Sequence, residues 1–300
     1  MENGSQNNSE DLSFLLTGFS GLQDVQHWLF VPFFFMFLVA LFGNLTVMYI
    51  VLTEQSLHKP MYWFICFLSA VDLIACLSLM PSLLLILSSG PQAIHSSTCF
   101  LQMFCVSFIG AMESSVLLLM AYDRYIAVCK PLSYSSVVTN AFILRGSIIV
   151  TIRSFCIVLP MPVLAGQLPY CSMRIVHSIY CEYLAIINTA CVRTTISDTF
   201  LYIVLAVIGV PDATFIGLSY YKIIKATLKL KSKEAQQKTF STCSSHIFII
   251  VSFYLSGLLT LSISIFENKM PPYMRVLFSV LYITVPPTLN PIIYSIKNKE

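Results

Sequence analysis

The chain has 300 residues, of which 57% are hydrophobic and only 10% charged; with a mean hydropathy of +0.80, this excludes a water-soluble domain, which carries about a quarter charged residues. The formal charge of +3 does not point to nucleic acid, because the basic residues flank apolar runs and form no stripe. Backbone polar groups in lipid must be satisfied within a helix or a closed barrel. The apolar runs are too long and alternate too little for barrel strands, so the chain reads as an all-α membrane protein.

Residues 1–27 form a tail with neither a basic n-region nor an apolar h-region, so a cleavable signal peptide of the usual kind is not expected and the first span serves for targeting. Asn3-Gly4-Ser5 and Asn7-Asn8-Ser9 are glycan acceptor patterns, usable only if the tail reaches the secretory lumen. Asn44-Leu45-Thr46 fits the same pattern but is expected inside lipid. Crossing the ~30 Å hydrocarbon core takes ~20 apolar residues, and such runs fall at 28–52, 59–88, 99–129, 140–165, 196–228, 237–266 and 272–296. Together they make one seven-helix domain over 28–296, with 297–300 opening a cytoplasmic tail that is truncated or short. No internal repeat of the kind that marks many transporters stands out.

Twelve Lys and Arg residues fall in the loops and helix ends on one side (Lys59, Arg124, Lys130, Arg145, Lys222, Lys225, Lys229, Lys231, Lys233, Lys238, Lys297, Lys299), against four (Arg174, Arg193, Lys269, Arg275) on the other. The positive-inside rule therefore puts the amino terminus outside, the orientation that the glycan acceptors require. Four of the ten cysteines (Cys99, Cys171, Cys181, Cys191) then meet an oxidising compartment. Four cysteines allow three pairings; Cys99, at the opening of the third span, is placed to staple the second outer loop onto it.

Three polar features interrupt the apolar spans. Asp72 and Glu113 each sit about fourteen residues inside their spans, which at ~1.5 Å per residue places both near the midplane. Two carboxylates at one level repel, so either one holds a proton or the pair holds a cation. Asp123-Arg124-Tyr125 ends the third span, where an arginine is costly unless paired; it is either an interface anchor or a switch whose guanidinium changes partner. Arg153 lies within the fourth span, with Asp212 or a loop carbonyl as its candidate acceptor. The five histidines share no metal-ligand spacing, and no hydrolase, Walker or zinc-protease motif occurs, so an enzyme is not expected.

The string Met120-Ala121-Tyr122-Asp123-Arg124-Tyr125-Ile126-Ala127-Val128-Cys129-Lys130-Pro131 resembles the odorant receptor family of rhodopsin-like G-protein-coupled receptors. So do Gly43-Asn44, Leu57-His58-Lys59-Pro60-Met61-Tyr62, Leu68-Ser69-Ala70-Val71-Asp72-Leu73, Ser219-Tyr220, Lys238-Thr239-Phe240-Ser241-Thr242-Cys243-Ser244-Ser245-His246 and Asn290-Pro291-Ile292-Ile293-Tyr294, in that order along nearly the whole chain. Pro286-Pro287 and Asp212 look like the class I, fish-like branch.

The resemblance implies a rhodopsin-like bundle in the plasma membrane, a small odorant as ligand and a stimulatory, olfactory-type heterotrimeric G protein as cytosolic partner, with cyclic AMP as the output. It implies the pairs Cys99–Cys181 and Cys171–Cys191. It implies a ligand site at Val106, Ser107, Gly110, Val204, Ile208, Tyr254, Gly257, Leu258, Leu261 and Ile283, mostly small or apolar, with Ser107 and Tyr254 orienting the ligand. It implies a sodium ion held by Asp72 and Glu113 with help from Asn290, and no other cofactor; the alternative is a protonated Glu113 that only hydrogen-bonds. Asp123, Arg124, Tyr125, Tyr220, His246 and Tyr294 would form the cytosolic switch, although tyrosines there also suit an interfacial aromatic belt. The basic stretch from Lys222 to Lys238 borders that surface and also suits anionic lipid.

Where many class I members carry His-Arg-Phe near the outer end of span six, this chain reads Ser264-Ile265-Phe266, which argues against an acidic ligand. The chain reaches Glu300 soon after Tyr294, so the short eighth helix that the resemblance implies is largely absent. The alternatives are a rhodopsin-like receptor for a different small ligand and an ion-coupled transporter using Asp72 and Glu113.

Overall fold

Seven helices long and apolar enough to cross a membrane run Gln26–Thr53, Pro60–Ser89, Ser96–Cys129, Asn140–Gly166, Thr195–Thr227, Lys233–Ile263 and Pro272–Ser295. The computed structural model describes residues 12–22, 25–171, 174–265 and 271–297; Asn3, Asn7 and Phe266 lie outside them. The spans fall where the apolar runs place them, and the chain is a multi-pass membrane protein. The sixth begins earliest relative to expectation, at Lys233, because the helix continues past the apolar run into charged residues.

Burial follows the membrane rule that a helix covers one stripe and gives the rest to lipid. In the first span only Phe33, Ala40, Asn44 and Val51 are buried among the residues of Phe30–Thr53, spaced along one face. The third span is the axis of the bundle, with buried residues from Cys99 to Ile126. Two apolar clusters meet at its middle, one including Ala111 and the other Met112.

Prolines create specific needs inside the spans. Pro291 has no N–H, so the carbonyl of Pro287, four residues earlier, loses its helical donor. Asn44 Nδ2 donates to that carbonyl at 2.8 Å and to Ala40 O at 2.8 Å. Gly43 allows the close approach: a Cβ there would stand 2.8 Å from Pro291 Cγ. The Gly43-Asn44 pair is thus the counterpart of the seventh-span prolines. Gly43→Val is expected to wedge the first and seventh spans apart and to cost about 1–3 kcal/mol by overpacking; a thermal midpoint equal to wild type in the purified protein would refute this.

In the fifth span the helix Thr195–Val204 passes through a π-turn, Leu205–Gly209, into Val210–Thr227. Pro211 follows two residues after the turn, and a proline that cannot donate is a common site for such a register shift. Asp212, the next residue, is fully buried.

The face of the bundle that carries the amino terminus is closed by a small sheet that the apolar pattern did not announce. Strand β1, Ser13–Leu16, lies between β2, Gln92–His95, and β3, Ile175–Val176; it runs antiparallel to β2 and parallel to β3. Alternation aims Phe14 and Leu16 inward, at 0% and 1% exposure. Phe14 packs edge-on against Phe100 and Tyr170. Gly18 then turns with φ +69° against Ile86, where a Cβ would approach Ile86 Cγ2 at 2.7 Å. Disulfides join Cys99 to Cys181 and Cys171 to Cys191, with Cα separations of 5.3 and 5.5 Å.

Candidate functional site

Four spans meet around one buried ion pair. Arg153 of the fourth span donates from Nη1 to Asp212 Oδ1 at 2.9 Å and from Nη2 to Asp212 Oδ2 at 2.6 Å, the two-pronged geometry that suits guanidinium and carboxylate. Nη2 also reaches Ser115 Oγ at 2.5 Å, and Ser114 Oγ donates to Asp212 Oδ2 at 3.0 Å. Ser114 in turn shares a 2.9 Å hydrogen bond with Tyr254 of the sixth span. A charge inside lipid is tolerated when it is paired and faces the bundle; both conditions hold, and Asp212 is the acceptor that Arg153 requires.

Tyr254, expected to orient a ligand, is therefore also tied to span three. The Phe253 ring lies 5.1 Å from that of Tyr254 and 5.8 Å from that of Tyr282, between spans six and seven. A Cβ on Gly110 would stand 3.1 Å from Tyr282 Oη, and one on Gly257 3.3 Å from its Cε2. The two glycines make room for this ring. Among the other candidate ligand residues, Val204 and Ile208 are buried, whereas Val106, Ser107 and Leu261 are partly covered.

Two of the set do not join them. Leu258 is 60% exposed on the stripe that carries exposed Leu255 and Leu259, so helical phase turns it toward lipid. Ile283 faces Met36, Ala40 and Cys76 across a small cavity between the first, second and seventh spans. Its predecessor Tyr282 is the residue that points toward spans three and six; a shift of one residue rotates a helix position by about 100°.

Deeper in the bundle Asn290 Nδ2 donates to Asp72 Oδ2 at 2.8 Å. Glu113 is buried close enough to Asp72 for the carboxylates to interact electrostatically. Asp72 Oδ1 is buried without a hydrogen-bond partner among the described residues. The unshared Asp72 oxygen and the Glu113 carboxylate are hard oxygen donors of the kind that suits a sodium ion, and the Asn290 amide holds Asp72 in place through its N–H, so the two carboxylates fit such an ion.

At the face opposite the amino terminus, Arg124 Nε lies 3.3 Å from Asp123 Oδ2, an ion pair too poorly aligned to count as a hydrogen bond. Asp123 also accepts from Tyr134 OH at 2.7 Å. Burial, then this contact with Asp123, push the Tyr134 phenol well above its usual range, so it remains a donor. Tyr220, His246 and Tyr294 all lie within electrostatic reach of Arg124. The His246 and Tyr294 rings are 6.2 Å apart. Lys222 Nζ sits 5.3 Å above the Tyr125 ring. The Tyr220 and Tyr294 hydroxyls are buried without hydrogen-bond partners among the described residues, leaving both groups open to new bonds.

The residues not foreseen from sequence are Ser114, Ser115 and Tyr282. The serines carried a legible signal, since a hydroxyl pair directly after Glu113 in an apolar span needs a polar partner. Tyr282 carried none, because its importance lies in the two glycines of other spans.

The profile of the family described as Olfactory receptor matches residues 33–300. Olfactory receptor 52N5 of Homo sapiens is 37% identical over 290 residues, covering 96% of this chain and 90% of that protein. Olfactory receptor 52D1 of Homo sapiens is 39% identical over 300 residues, with 99% and 94% covered, and Olfactory receptor 51E1 of Homo sapiens is 37% identical over 295 residues, with 98% and 92% covered. Among solved structures, squid rhodopsin superposes with a TM-score of 0.69 at 18% identity, covering 92% of this chain and 78% of that one; this similarity concerns the fold.

Proposed function

The chain belongs to the olfactory receptor family, and from that premise we propose that it lies in the plasma membrane with its amino terminus outside and couples to a stimulatory, olfactory-type G protein. The family consists of receptors for small odorants that act through G proteins, not enzymes. Excess Lys and Arg on the Arg124 face support the orientation, as do the two disulfides on the amino-terminal face, which need an oxidising compartment.

The observation that carries the mechanism is the hydrogen bond between Tyr254 and Ser114 above the Arg153–Asp212 pair. A ligand seated among Val106, Ser107, Gly110, Val204, Ile208, Tyr254, Gly257 and Leu261 touches a side chain whose hydroxyl ties span six to span three. A ligand that favours a shifted Tyr254 shifts the equilibrium of span six by its difference in affinity for the two states. Outward movement of that span frees Arg124, Tyr220 and Tyr294 to exchange partners and opens a cleft bordered by Lys222 and Lys225 for the G protein. The few hydroxyls among apolar walls suit small, weakly polar molecules.

Odorant-evoked and basal cyclic AMP in cells carrying the chain test this reading. Arg124→Ala is expected to reduce the evoked rise at least about tenfold at equal surface expression, the scale of a typical coupling energy; undiminished signalling would overturn it.

Asp72 and Glu113, assisted by Asn290, would hold a sodium ion, whose single charge offsets one of the two carboxylates, relieves their repulsion in low dielectric and favours the packed, inactive arrangement. Replacing sodium by a bulky organic cation is then expected to raise basal nucleotide exchange in purified receptor with G protein. Asp72→Asn should abolish that sensitivity, and a variant still responding to sodium like wild type would remove the ion from the scheme.

A further inference from the structure

A second cavity opens at the extracellular mouth, sharing no residue with the ligand set above. It encloses about 290 Å³ between the short helix Tyr183–Ile187 of the second outer loop, the start of span five and the start of span seven. Ligand pockets span roughly 300–1,000 Å³ and are mostly apolar. This one is at the small end and unusually polar: Glu182, Asn188, Arg193, Asp198 and Arg275 make up five of its nine lining residues.

We propose that this mouth cavity is an outer binding site for a small zwitterion, an aliphatic α-amino acid being the class that fits. Two guanidinium groups and two carboxylates face the same space. A simple acid would set its charge against Glu182 and Asp198, and a simple amine would meet Arg193 and Arg275. A molecule carrying both charges a few bonds apart opposes each end to its complement. Leu184, Ile187 and Tyr202 supply an apolar wall for its side chain.

The charged groups differ in how firmly they are held, which assigns the ends. Glu182 follows Cys181, whose bridge to Cys99 anchors it, and Glu182 Oε2 accepts from Ser279 Oγ at 3.4 Å. It is the fixed acceptor for an ammonium group. Arg193 donates from Nη1 to Asn188 Oδ1 at 2.7 Å, while its Nε stands 3.6 Å from Asp198 Oδ1. Both side chains of that pair are nearly half exposed, at 49% and 43%, and such pairs hold weakly. A ligand carboxylate can therefore take over the guanidinium edge with little to displace, in the two-pronged form that suits Arg.

The test is equilibrium binding of radiolabelled leucine to the full chain in lipid nanodiscs, with 4-methylpentanoic acid and isopentylamine as competitors lacking one charge each. Saturable leucine binding is expected, with each competitor at least about tenfold weaker and with Glu182→Gln and Arg193→Gln each weakening leucine at least about tenfold, a loss converting to about 1.4 kcal/mol. Absence of saturable binding, equal potency of either competitor, or wild-type affinity in both variants would overturn the site. Should Glu182→Gln not reach the membrane, the half-exposed Arg193→Gln carries the decision, while Asp198→Asn, which removes the competitor for the guanidinium, is expected not to weaken leucine binding; a loss of about tenfold in Asp198→Asn would overturn the assignment of the ends. Leucine binding is read without a G protein, so a receptor that binds leucine yet never raises cyclic AMP refutes the signalling reading and leaves this site standing.

Discussion

Replacing Arg153 by methionine is expected to deplete the receptor from the cell surface, and Asp212→Leu is expected to do the same. Arg153→Met leaves the fully buried Asp212 carboxylate without its partner, and Asp212→Leu leaves a part-buried guanidinium inside an apolar span without its acceptor. Asp212 is fully buried and accepts both prongs of the guanidinium, and breaking such a pair on one side costs about 3–5 kcal/mol, a large share of the stability of any single domain. The double change Arg153→Met with Asp212→Leu removes both charges and is expected to recover much of the loss, since a well-packed apolar pair of similar volume is often as stable as the ion pair. Its signalling should stay impaired, because Ser114 loses the acceptor that positions it for Tyr254. Surface labelling and thermal midpoints of the three variants decide the matter. Single variants with wild-type surface levels would mean that the pair is not structural.

The second large effect is expected at the Cys99–Cys181 bridge. It closes a sequence separation of 82 residues, against 20 for Cys171–Cys191. Loop-closure entropy grows with the logarithm of the loop, so the longer bridge is worth about 4–5 kcal/mol and the shorter about 3 kcal/mol. Location adds to the difference. Cys181 N–H donates to Gln102 Oε1 at 3.0 Å, and the following Glu182 lines the mouth cavity. The double variant Cys99→Ala/Cys181→Ala should therefore lose more surface expression than Cys171→Ala/Cys191→Ala. The reverse order would show that local loop folding, not the staple to span three, controls the amino-terminal face.

Much of the architecture was legible because lipid imposes a strong and simple rule. The seven apolar runs, the inward stripe of each helix and the single polar residues within them all follow from the cost of exposing backbone and charge to hydrocarbon. The sheet over the amino-terminal face was not legible, because β1 and β3 span only four and two residues and their pairing joins three segments distant in sequence. In the candidate site, Arg153 was conspicuous and Asp212 was one of its two candidate acceptors; the sequence left open only whether it meets Asp212 or a loop carbonyl. Leu258 and Ile283 show the limit of placing pocket residues by correspondence. Each stands on a span that borders the cluster, and helical phase turns each away from it by part of a turn.

The apolar runs by themselves determined seven spans, and the distribution of Lys and Arg with the glycan acceptors pointed to one orientation. Those are additive properties of residues in a solvent of low dielectric, and they need no knowledge of neighbours. Tertiary structure alone decided that Arg153 is answered by Asp212, that Tyr282 occupies the gap left by Gly110 and Gly257, and that four charged side chains converge on the mouth cavity. These are properties of pairs brought together from different spans, where an ångström of approach or a fraction of a helical turn determines which groups touch.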